Sequence, residues 1–109
     1  MIEYIEVDRN GIVYCPTLHD GRLEKIRVKG LDVVVVVCEE CELIWESVED
    51  IVLNNPCSAS TIREYVGLHG IDIPPLNKAA DWNSYIERKG YLLFKEIEAF
   101  LDGITVHSI

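Results

Sequence analysis

Val33-Val34-Val35-Val36-Val37-Cys38-Glu39-Glu40-Cys41 is the stretch on which the fold turns. Five β-branched side chains in succession are stiff at χ1 and suit a pleated strand. Their unbroken apolarity predicts a strand covered on both faces, because left bare it would be an aggregation hazard. Just upstream, Leu23, Ile26 and Val28 alternate with Arg22, Lys25, Arg27 and Lys29, and Gly30 separates this segment from the valines. The two segments read as a hairpin. Its far ends carry Cys15-Pro16-Thr17-Leu18-His19 and Cys38-Glu39-Glu40-Cys41, so Cys15, His19, Cys38 and Cys41 are expected to meet at one point. Thiolates and an imidazole in two close pairs are the ligands of a tetrahedral zinc site. Four protein ligands leave no position for water or substrate, so the expected role of the zinc is structural. Cys57 or His69 could replace His19 if the second half of the chain folds back. A rival use of the Cys38–Cys41 pair is thiol redox chemistry, but Glu39 and Glu40 between the thiols disfavour the thiolate such chemistry needs.

Outward from the hairpin, Ile2 to Val7 reads as a strand, and Arg9-Asn10-Gly11 as a tight turn returning through Ile12-Val13-Tyr14 to Cys15. On the other side, Glu42 to Glu46 can form a third ribbon strand, and Ser47 to Leu53 is open between strand and short helix. Asn54-Asn55-Pro56 is a break. Thr61-Ile62-Arg63-Glu64 has capping-box spacing, opening a helix with an Ile62, Tyr65, Val66, Leu68 stripe and closing at Gly70. From Lys78 to Leu101, Trp82, Tyr85, Ile86, Leu93, Ile97, Phe100 and Leu101 recur at helical spacing, interrupted by Gly90. Ile104 to Ile109 is a short apolar tail. The expected fold is α+β: an antiparallel zinc-ribbon-like sheet over residues 1–56, with a helical part, 57–109, packed on it as one compact domain.

The formal net charge of −9 argues against a nucleic-acid partner, which demands Lys and Arg. Between Lys29 and Arg63 there is no basic residue, while Asp32, Glu39, Glu40, Glu42, Glu46, Glu49 and Asp50 all fall there. This is either a solvated acidic face or a docking surface for a basic partner. Trp45 lies within the same stretch. Exposed, it would anchor an interface; otherwise it packs under the ribbon. The start of the chain has no signal-peptide pattern and no apolar run reaches membrane-spanning length, so a cytoplasmic protein with reduced thiols is expected. No phosphate loop and no Ser/His/Asp or Cys/His set suggests an enzyme.

Cys15-Pro16 through Cys38-Glu39-Glu40-Cys41 and on to Trp45-Glu46 resembles the zinc ribbon of the YgiT-type, MqsA-like antitoxins. The shared features are a Cys-Pro knuckle, a Gly soon after it, a strand pair, and a Cys-x2-Cys knuckle before an aliphatic or aromatic strand. The chain departs from that family where His19 stands in place of the second Cys of a Cys-x2-Cys knuckle, and in lacking the family's basic helix-turn-helix. In size and charge it also looks like bacterial toxin-immunity proteins. Together these imply a non-enzymatic inhibitor whose acidic residues Glu39, Glu40, Glu42, Glu46, Glu49 and Asp50, with Trp45 among them, cover a basic toxin, a nuclease above all. The alternative is a zinc-ribbon module associated with DNA or transcription.

Overall fold

The computed structural model describes residues 1–109, the side chain of Ala79 excepted. The fold is α+β, built on a four-stranded antiparallel sheet. Its strands are β2 (Leu23–Val28), β3 (Val33–Cys38), β4 (Ile44–Trp45) and β5 (Ile86–Tyr91), in the order β4-β3-β2-β5. A separate parallel pair joins β1 (Tyr4–Val7) to β6 (Thr105–Ser108). The expected β2–β3 hairpin is present, with Leu23 opposite Cys38 and Val28 opposite Val33.

The valine run is covered on both faces, but only over its second half. Val36 and Cys38 enter one core with Ile5, Leu23, Trp45 and Leu92. Val35 and Val37 enter the other, with Ile26, Ile44, Tyr65 and Ile86. Alternation across the pleat thus splits one uniform run between two cores. Val33 and Val34, at the hairpin end, stay 39% and 45% exposed.

The ambiguous segment after β4 is a helix, α1 (Val48–Val52). The Ser47 hydroxyl accepts from the Asp50 N–H, and Asn54 at φ 56° ends the segment. In α2 (Ile62–Leu68), Thr61 caps as the sequence predicts. Glu64, however, reaches back to the backbone N–H and hydroxyl of Ser60, not to Thr61 itself. Gly70 follows at φ 85°.

Residues 78–101 depart from the predicted helix. They form a 3₁₀ segment (Ala79–Ser84), strand β5, a single helical turn α3 (Phe94–Ile97) and a 3₁₀ turn (Glu98–Phe100). The apolar residues at helical spacing are therefore shared among four elements. Gly90 is the physical reason. Glu24 and Ile26 of β2 face Tyr91 and Arg88 of β5, so β5 holds one residue more than its partner over this step. Gly90 at φ 93° supplies the bulge. The tail after Ile104 is also a strand, β6. Residues 57–109 thus contribute strands to both sheets as well as helix. No helix among the described residues is long and apolar enough to cross a membrane.

Candidate metal centre

Two short turns build the site, and their backbones match. In the first, the His19 N–H donates to the Cys15 carbonyl (3.1 Å) and His19 sits at φ 56°. In the second, the Glu42 N–H donates to the Cys38 carbonyl (3.1 Å) and Glu42 sits at φ 62°. The N–H groups of Thr17 and Leu18 face the Cys15 thiol, as those of Glu40 and Cys41 face the Cys38 thiol. Leu18 therefore holds the place in the first turn that Cys41 holds in the second.

The turns are brought together at the base of the β2–β3 hairpin. The Cys15 N–H donates to the Gly21 carbonyl (2.8 Å), and the Glu39 N–H to the Arg22 carbonyl (3.1 Å). Gly21 is required here for closeness. A Cβ on it would lie 2.7 Å from Cγ and 3.0 Å from the backbone nitrogen of Glu40. Arg22 latches the second turn from outside. Its Nε donates to a Glu39 carboxylate oxygen at 2.6 Å, and its guanidinium lies over the Tyr91 ring. That guanidinium holds the Glu39 carboxyl below its ordinary pKa.

Cys15, Cys38 and Cys41 converge as the sequence predicts, and the fourth group is Asp20; all four ligand atoms lie within 4.8 Å of one another. Two of the six spacings match those of a tetrahedral ion. With sulfur at about 2.3 Å and oxygen at about 2.0 Å from zinc, tetrahedral edges are about 3.8 Å between sulfurs and about 3.5 Å from sulfur to oxygen. Cys15 Sγ and Cys41 Sγ are 3.7 Å apart, and Cys38 Sγ and Asp20 Oδ1 are 3.5 Å apart. Cys15 and Cys38 are fully buried, Cys41 is half-buried and Asp20 is exposed. Burial pushes the Cys15 and Cys38 thiols above their ordinary pKa. A cation between them supplies the counter-charge that lets them ionise, with release of protons. The same upward shift is opposite to what a thiol nucleophile needs.

His19 is not brought to the site. Its left-handed backbone turns the ring toward β1, where Nε2 lies 3.1 Å from the Tyr4 hydroxyl and the ring stacks on Tyr4. Its Nδ1 lies 2.7 Å from a Glu6 carboxylate oxygen, a close contact without the alignment of a hydrogen bond. The alternatives are also elsewhere. Cys57 donates to the Glu46 carboxylate at 3.7 Å, and His69 packs against Tyr65. In the sequence Asp20, between His19 and Gly21, reads only as a turn residue, since a carboxylate one position from a histidine is the weaker zinc candidate on chemistry alone.

The acidic stretch divides. Trp45 is fully buried and cannot anchor a partner; it packs beneath the sheet because β4 turns it into the first core. Glu46 accepts from the Tyr65 hydroxyl (3.0 Å), and Asp50 accepts from the Ser47 hydroxyl (2.9 Å). Glu39 is engaged by Arg22. Glu40, Glu42 and Glu49 are exposed and pair with no cation among the described residues. Beside Glu39 and Glu42 lies a groove of about 530 Å³, with Ile26, Val37 and Ile86 among the residues lining it and Glu24 paired to Arg88 alongside.

Comparison with known proteins returns no match: no protein-family model, no curated protein and no solved structure matches the chain.

Proposed function

We propose that this chain is a non-enzymatic, metal-stapled inhibitor of the immunity or antitoxin kind, which neutralises a basic toxin, a nuclease, through the acidic face around its second Cys turn. The observation that carries this reading is the display of Glu40 and Glu42 on either side of Cys41, exposed and paired with no cation among the described residues, in a chain of net charge −9. Complementary charge speeds encounter with a basic partner and fixes its register. The adjoining groove adds apolar surface to those carboxylates. Arg63 and Arg88 line the same groove, so the cations of a basic partner are expected at Glu40 and Glu42 and not within it.

Zinc is the metal the donor set favours, because three thiolates and a carboxylate within 4.8 Å of one another suit a borderline-soft ion without redox chemistry. Such a centre fixes the second turn and hence its glutamates, and works where thiols stay reduced, as in a cytoplasm. Two measurements test the reading. Protein purified without added metal is expected to carry about one zinc per chain, as one four-ligand site requires. The nuclease activity of the neighbouring gene's product is expected to fall on adding this chain, and Glu40→Lys with Glu42→Lys to abolish the inhibition. Full inhibition by that double variant would overturn the acidic surface as the basis of function.

A further inference from the structure

Three of the four candidate ligands are thiols in or beside the core, and the fourth is a carboxylate at the surface. Cys15 and Cys38 are wholly enclosed, while Asp20 is exposed and makes no hydrogen bond among the described residues beyond the one from the Cys38 thiol. That one bond is lost when Cys38 ionises onto a metal. The matching turn places would have allowed a fourth cysteine at residue 18, where an exposed Leu18 stands instead. The Cys15 and Cys38 sulfurs are thus fixed by burial and by backbone N–H groups, and the carboxylate by neither.

We propose that the metal at this centre has an exchangeable fourth position, held by Asp20 at rest and open to a neutral imidazole from outside the chain, such as a histidine of a partner protein. The proposal rests on the metal reading above. Imidazole is favoured over a second kind of donor, thiolate, on charge. Three thiolates and a carboxylate already outweigh a divalent ion, and Glu40 and Glu42 flank the site. Replacing the carboxylate by a neutral ring removes one negative charge; a thiolate removes none. The step is a simple exchange. The metal–oxygen bond to Asp20 breaks, a metal–nitrogen bond forms, Asp20 leaves as carboxylate, and no proton or electron moves when the imidazole arrives neutral. His19 does not fill the position itself, because Tyr4 and Glu6 hold its ring.

The test uses the full chain loaded with cobalt(II), whose visible bands report both thiolate ligation and the fourth donor, titrated with imidazole at pH 8. The expected result is a saturable shift of the ligand-field bands with the thiolate-to-cobalt charge-transfer band retained. Asp20→Ala is expected to bind imidazole on the order of tenfold more tightly, having no ligand to displace. Leu18→Cys, which offers a fourth thiolate, is expected to abolish the response, and His19→Ala to leave it unchanged. Bands unmoved by imidazole, or cobalt stripped from the chain by it, would overturn the exchangeable position while leaving the metal reading intact. A shift produced by a small thiol but not by imidazole would overturn the choice of donor. Absence of any thiolate charge-transfer band would overturn the metal reading and this inference together.

Discussion

The Cys15–His19 and Cys38–Glu42 turns share one backbone and differ in what hangs from it. Each closes with an N–H from the fifth residue to the first carbonyl, each ends in a left-handed residue, and each offers two N–H groups to its leading sulfur. The second turn then spends its fourth residue, Cys41, on the centre. The first has Leu18 there and reaches the centre two residues later, through Asp20. The lesson is that backbone geometry, set by the hairpin, decides which side chains can ligate. Residue chemistry alone selects His19, and the backbone turns it away.

If the two turns are equivalent around their leading cysteines, Cys15→Ser and Cys38→Ser should cost the same. Each is expected to weaken metal binding by more than the roughly 10–100-fold that losing an outer hydrogen-bond partner costs, and to lower the melting temperature of the metal-loaded chain. Competition with a chromophoric chelator gives the affinity. A large loss for one cysteine and none for the other would break the equivalence.

Gly21→Ala probes the contact between the turns. The added Cβ meets the Glu40 Cγ at 2.7 Å and the Glu40 backbone nitrogen at 3.0 Å, and the backbone yields less readily than the side chain. Overpacking of this kind costs about 1–3 kcal/mol, read by denaturant unfolding, and should lower metal affinity with it. His19→Ala separates the two roles open to that residue. It is expected to leave metal affinity unchanged and to cost about 0.5–1.5 kcal/mol of stability through the lost stack on Tyr4. Weaker metal binding in this variant would restore histidine as a ligand.

The smallest effect concerns the Arg22–Glu39 latch on the second turn. Glu39 has a folded-state pKa below its unfolded value, so its contribution is present above the unfolded pKa and is lost as pH falls through the folded one. In chelator, the melting temperature of the wild type is expected to fall slightly more than that of Glu39→Gln as pH drops through the carboxylate range. Parallel curves would show that the latch contributes nothing.

Much of this was legible in the residues themselves. Stiff valines, alternation in β2, the Thr61 cap and the paired cysteines each carry a local physical cause that survives folding. Residues 78–101 were not legible, because an apolar spacing near the helical period also arises when a 3₁₀ segment, a bulged strand and a single turn follow one another. Gly90 carried the signal, and a glycine within an apolar pattern reads equally as a helix interruption or as a β-bulge. Only the pairing with β2 decides between them. Asp20 was hidden for a similar reason. Its place at the centre depends on the left-handed backbone at His19 and on the close approach at Gly21, and neither is a property of residue type.

X-ray absorption at the zinc edge of the metal-loaded chain tests the ligand set most directly. With zinc as the proposed metal, the expected signal is three sulfur atoms at about 2.3 Å and one oxygen at about 2.0 Å, without the outer scattering of an imidazole ring. An imidazole signature in the protein as purified, or a zinc surrounded only by light atoms, would contradict a centre made by Cys15, Asp20, Cys38 and Cys41.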